Sequence, residues 1–145
     1  MKFLQLILLI LLIIAQGLRH PAKGQNKITV TITNIRNNNG HILISLFNHE
    51  KGWPEDEANT LIKTEFPIQN GKAFIVFNNM PKGVYAVAIM HDENDNYKMD
   101  YNFFRLPKEG YGFSNDVMGT FGPPGFKEAS FKHELATEVK IKIRY

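Results

Sequence analysis

The chain has 145 residues, no cysteine, and seventeen Lys and Arg against fourteen Asp and Glu. Without cysteine it has no disulfide framework, no thiol nucleophile and no lipid-modified cysteine anchor, so a folded domain here must rest on its apolar core. The formal charge of +3 argues poorly for nucleic-acid binding, because Lys2, Arg19 and Lys23 supply the whole excess and acids and bases balance at fourteen each beyond them.

Met1-Lys2-Phe3 precedes an almost unbroken apolar run, Leu4 to Ile14, which has the length of a signal-peptide core and is short for a membrane span. A signal peptide is expected over residues 1–24, with cleavage after Ala22-Lys23-Gly24 leaving Gln25 first. Cleavage near Ala15-Gln16-Gly17 and an uncleaved anchor are the alternatives. The expected product is periplasmic or extracellular, has no transmembrane span after cleavage, and forms one domain over residues 25–145.

Period-two alternation then dominates. Ile28, Val30 and Ile32 interleave with Thr29, Thr31 and Thr33 as a half-buried strand, and Asn37 to Gly40 allows a reversal into His41 to Phe47. Asn48 to Asn59 reads as a loop with about one helical turn, holding Gly52-Trp53-Pro54 and Glu55, Asp56 and Glu57. Leu61 to Ile68 is the next strand, and Asn70-Gly71 predicts a hairpin joining it to Lys72 to Phe77. After a turn at Asn78 to Gly83, Val84 to Met90 is apolar at almost every position, as a strand buried on both faces would be. His91 to Lys127 lacks any sustained period. Ala129 to Phe131 is a short candidate strand, and Val139, Ile141, Ile143 and Tyr145 alternate with Lys140, Lys142 and Arg144, which form the wet face of a terminal strand.

About seven short strands without a substantial helix predict an all-β fold, a single antiparallel β-sandwich of immunoglobulin-like or prealbumin-like kind. A long irregular loop should separate its central strand from the C-terminal strands.

Several separated motifs occur in a telling order: Val30-Thr31-Ile32-Thr33-Asn34-Ile35-Arg36, Gly52-Trp53-Pro54, Met80-Pro81-Lys82-Gly83-Val84-Tyr85-Ala86, His91-Asp92-Glu93-Asn94-Asp95-Asn96, Asn102-Phe103-Phe104, Pro107 to Asn115, and Phe121-Gly122-Pro123-Pro124. In these the chain resembles the DUF2141 family over nearly all of residues 25–145. The resemblance implies an exported bacterial domain with a prealbumin-like or Cna-B-like sandwich, and no activity to transfer. The chain departs from the family at Asp95 and Tyr97, where glycines are frequent, which argues against a tightly wrapped metal loop there.

Asp92, Asn94, Asn96 and Asp100 fall at positions one, three, five and nine of an EF-hand-like loop, with the carbonyl of Lys98 at position seven. Hard oxygen donors on alternate residues suit calcium. Tyr97 at position six and Phe103 at position twelve replace the usual Gly and bidentate Glu, so affinity should be weak, roughly 10⁻⁴ to 10⁻³ M. The competing account is that these side chains only form Asx turns.

Trp53, His91, Tyr97, Tyr101, Tyr111 and Phe113 are candidate contacts for a glycan or protein partner, with Trp53 the most readily exposed; the alternative for the aromatics is a minor core under the long loop. For catalysis, His91 with Asp92 and Asp100 is the one acid-base candidate, and adjacency on a strand sends His91 and Asp92 to opposite faces. Serines 45, 114 and 130 sit in no nucleophile elbow. Two classes follow: a non-enzymatic exported binding or accessory module with a possible calcium loop, or a hydrolase-type enzyme built on His91.

Overall fold

Alternation of β-branched residues with threonine makes Lys27–Thr33 a strand, β1, with Ile28, Val30 and Ile32 fully buried on one face. The computed structural model of the chain describes residues 26–145; the expected signal peptide lies outside them. Seven further strands follow: β2 His41–Phe47, β3 Ile62–Phe66, β4 Ala73–Asn78, β5 Gly83–Asp92, β6 Gly110–Phe113, β7 Phe131–His133 and β8 Ala136–Lys142. One short helix, α1, spans Phe126–Ala129, and 3-10 turns occupy Glu57–Asn59 and Ser114–Asp116.

The strands form two sheets, β4-β1-β8 and β3-β2-β5-β6, with β7 added along the first residues of β5. Pairing is antiparallel except between β1 and β8. This is the expected all-β sandwich, with eight strands rather than about seven.

Between the sheets, the buried face of β1 and Ile141 of β8 share one core with Ile42, Ile44 and Leu46 of β2 and Val87 and Ile89 of β5. Each fully buried Ile contributes about 1.5–3 kcal/mol of apolar burial, the main term holding a chain without disulfides together. Among the described residues, both apolar clusters lie between Ile28 and Ile143.

Three expectations need correction. Asn70 and Gly71 do form a two-residue turn, with φ of 52° and 69°, and Gln69 and Lys72 exchange both backbone hydrogen bonds. The flanking strands nevertheless belong to different sheets. Pro67 offers no N–H where a β3-β4 ladder would continue, so the turn carries the chain across the sandwich. Secondly, the irregular region contains β6. Two of its four residues are glycines, which hide it from any alternation pattern. They are needed because a Cβ at Gly112 would come within 2.7 Å of Ile141, and one at Gly110 within 2.4 Å of Ile143. Thirdly, the strand expected at Ala129 to Phe131 begins only at Phe131, because Ala129 ends α1. The Glu128 carboxylate accepts the Gly125 N–H at 2.9 Å and closes that single helical turn.

Candidate functional site

β5 ends in His91 and Asp92, both fully buried and, as neighbours on a strand, directed to opposite sides. On one side, His91 Nε2 lies 2.8 Å from the Asn39 carbonyl, which can only accept, so that nitrogen carries the proton. Nδ1 then accepts from the Tyr145 hydroxyl at 2.7 Å, and the same hydroxyl oxygen accepts the Arg36 N–H at 3.1 Å. The Arg36 guanidinium sits over the Tyr145 ring at 4.3 Å and pairs with Glu93 at 2.6 Å, while Asn37 donates to Glu93 at 2.8 Å. Burial raises the Glu93 pKa, but the hydrogen bonds from Asn37 and Arg36 and the Arg36 charge outweigh it, and the net direction is down. With both ring nitrogens engaged and no exposure, His91 ties the β1-β2 connection to the C-terminus.

On the other side, the Asp92 carboxylate accepts the backbone N–H groups of Asn96 at 3.2 Å and Tyr97 at 2.7 Å. Gly40 lies against the Asp92 carbonyl, where a Cβ would come within 1.8 Å of the oxygen; its φ is +61°. His41 places Nε2 3.5 Å from Asp92 and Nδ1 2.5 Å from Asp95, with its ring 5.0 Å from that of Tyr97. The Tyr97 hydroxyl is raised in pKa, chiefly by its hydrogen bond to Glu65.

Asp95 and Tyr97 take left-handed φ of 58° and 62°. The loop therefore wraps tightly with no glycine at either position. A non-glycine residue pays roughly 1–2 kcal/mol for this conformation, offset here by the bonds to Asp92. Asn94 and Asn96 both donate to Asp100, at 2.7 and 3.2 Å, and their carbonyl oxygens accept the N–H groups of Asn96 and Lys98. Asp92, Asn94, Asn96 and Asp100 thus share one curl of two successive Asx turns. Among the described residues, no three His, Asp or Glu side chains gather closely enough to hold a metal. The proposed donor set has only two carboxylates, with two amides and the Lys98 carbonyl making up the rest.

Sequence reasoning missed Glu109. Phe103, at loop position twelve, points into solvent, whereas Glu109 is 4% exposed beneath the loop. Its two carboxylate oxygens accept the N–H groups of Glu93 and Asp100, each at 3.1 Å, and so clamp the two ends of the curl together. The available signal was a lone acid immediately before β6, a strand that itself has no readable pattern.

Beyond the curl, Tyr101 bridges Pro107, and Asn102 closes a tight turn. Its side-chain oxygen accepts the N–H groups of Phe104 and Leu106, its N–H bonds the Leu106 carbonyl, and its own carbonyl accepts the Arg105 N–H. Phe103 and Phe104 stand at the tip, 93% and 78% exposed.

The other candidate aromatics divide. Trp53, expected at the surface, is half-buried and packs against a second core formed by Ala86, Phe113 and Ala129. Its ring centroid lies 5.3, 5.8 and 5.9 Å from those of Phe47, Phe113 and Phe126, and its indole N–H donates to the Pro124 carbonyl at 2.8 Å. Tyr111 and Phe113 belong to the same cluster. The Gly52-Trp53-Pro54 segment is flanked by apolar rings from three other elements, and burial of the indole against them outweighs any tendency of a loop to leave it wet. Tyr97 and Tyr101 are each 54% exposed. Two hollows border the exposed Phe74, one of them reaching Phe66 and Pro67, and neither includes His91, Asp92 or Asp100.

Among the described residues no helix is long and apolar enough to cross a membrane. The family model described as "Uncharacterized protein conserved in bacteria (DUF2141)" matches residues 30–142, well over half of the chain. No curated protein and no solved structure matches it significantly.

Proposed function

The chain belongs to the DUF2141 family, and on that premise we propose that it is an exported binding or accessory module without chemistry of its own, whose presenting surface is the 92–109 loop. One observation carries this reading: the loop is fixed at its base by the buried carboxylates of Asp92 and Glu109, while its tip turns large apolar side chains outward. A rigid base with an exposed rim is the design of a binding element. The enzyme alternative rests on His91, whose ring nitrogens are both occupied within the fold. A sugar platform would have to rest on Tyr97 and Tyr101, because Trp53, Tyr111 and Phe113 pack into the second core.

Calcium is the proposed ligand of the curl. Asp92, Asn94, Asn96, the Lys98 carbonyl and Asp100 would hold it, once the Asn94 and Asn96 side-chain oxygens leave the Asn96 and Lys98 N–H groups and turn toward the centre, opening both Asx turns. The ion would replace the amide donors that now satisfy Asp100.

Thermal unfolding of residues 25–145 after chelation, and then across a calcium series, tests this. At ten times the dissociation constant, binding adds about 1.4 kcal/mol to the folded state. For a domain of this size that is a rise of about 5 °C in Tm. The rise should saturate and should vanish in Asp100→Ala. An unchanged Tm up to several millimolar calcium would leave Asx turns as the full account of the curl.

A further inference from the structure

We propose that the tip of the long loop, Tyr101 to Lys108, is a lipid-docking finger that inserts Phe103 and Phe104 into an anionic phospholipid surface. This rests on the binding-module reading and names its partner. Phe103, Phe104 and Leu106 are 93%, 78% and 59% exposed, and none of the three belongs to either apolar cluster. Three large apolar side chains projecting together from one turn form a patch that a water-facing surface does not need. The turn is also built to hold them outward, since Asn102 supplies four hydrogen bonds across five residues. A preorganised tip loses little conformational freedom on insertion.

Charge selects the partner. Tyr101 to Lys108 contains no acid and two bases, Arg105 and Lys108, and Lys98 lies just before it. The acids flanking the finger in sequence, Asp100 and Glu109, accept hydrogen bonds from within the loop. Glu55, from the preceding loop, acts on Tyr101 at the root of the finger and not at its tip. An apolar tip with a basic collar complements the acyl boundary and anionic headgroups of a bilayer, where each cation near the surface adds to the attraction. A glycan fits less well. The two Phe rings stand edge to face at 85°, with centroids 5.5 Å apart, and so offer neither a flat platform nor a hydrogen-bonding group.

The experiment is sedimentation of residues 25–145 with vesicles of phosphatidylglycerol and phosphatidylethanolamine, and with vesicles of phosphatidylcholine alone. The apolar N-terminal run is left out so that its own lipid affinity does not contribute. The wild type should sediment with the anionic vesicles, and less with the neutral ones. The double variant Phe103→Ser/Phe104→Ser should bind on the order of 100-fold more weakly or worse, with an unchanged Tm because both side chains are exposed. Arg105→Glu/Lys108→Glu should lose the preference for anionic lipid while keeping both rings. Three outcomes each overturn the proposal: no sedimentation with either vesicle, sedimentation indifferent to the Phe substitutions, or a micromolar wild-type dimer dispersed by those substitutions, which would make a second copy the occupant. Failure here with a retained calcium-dependent rise in Tm removes the lipid partner and leaves the module reading standing.

Discussion

Replacing Trp53 with alanine is the sharpest probe of how the second core is organised. The indole is edge-on to Phe47 and Phe126, tilted against Phe113, and donates to the Pro124 carbonyl. A fully buried Trp→Ala change costs about 3–5 kcal/mol, and each well-placed aromatic pair contributes about 0.5–1.5 kcal/mol beyond its area. Trp53 keeps part of its surface in water, so the lower end applies, about 3 kcal/mol. A loss of that size should lower Tm by roughly 10 °C. Because Trp53 is the only tryptophan, wild-type emission reports this one site and should be blue-shifted until the fold melts. Circular dichroism then follows the alanine variant. Trp53→Phe, which keeps a ring and loses the indole hydrogen bond, should fall by only about 1 kcal/mol. Should Trp53→Ala melt within about 2 °C of wild type, a shift worth well under 1 kcal/mol, the indole would not be a core residue and its candidacy as an exposed ligand contact would return.

Two further outcomes follow from single groups. Ser114 is fully buried; its Oγ accepts the Val87 N–H at 2.9 Å and donates to the Ala129 carbonyl at 2.5 Å. Ser114→Ala strands both backbone groups and should cost about 1–3 kcal/mol, read as a lower urea midpoint; unchanged midpoints would refute the linking role. The lowered pKa of Glu93 gives a signed pH dependence: its contribution is present above the unfolded carboxylate value and is lost as pH falls through the lower folded value. Glu93→Gln should therefore be less stable than wild type at neutral pH, with the gap closing as the solution is acidified. Urea midpoints that fall in parallel from pH 7 to about pH 3 would contradict that sign.

What the sequence made legible is what depends on nearest neighbours. Alternation at Ile28 to Thr33 and at Ala73 to Asn78 reflects strands with one wet face, and the apolar run at Val84 to Met90 reflects the strand shared by β2, β6 and β7. Asn70-Gly71 encodes a turn and its φ signs, but not which sheet each arm joins; Pro67 and the pairing of β1 with β4 decide that. β6 was illegible because its glycines answer to Ile141 and Ile143, about thirty residues further along the chain. The acidic curl could be marked residue by residue from spacing. Its clamp could not, since Glu109 is brought to the N–H groups of Glu93 and Asp100 only once the finger has doubled back on itself through Tyr101 and Pro107.

The parallel pairing of β1 with β8 has a kinetic side. The first and last strands are neighbours, joined from Lys27 with Ala136 to Thr33 with Lys142, so one side of the three-stranded sheet has no partner until nearly the whole chain has been made. Contacts this far apart in sequence must close a long loop before they return any stabilisation, and chains built on them fold slowly. Until then Val30 and Ile32 lack a flank on that side, and β1 has only β4 beside it.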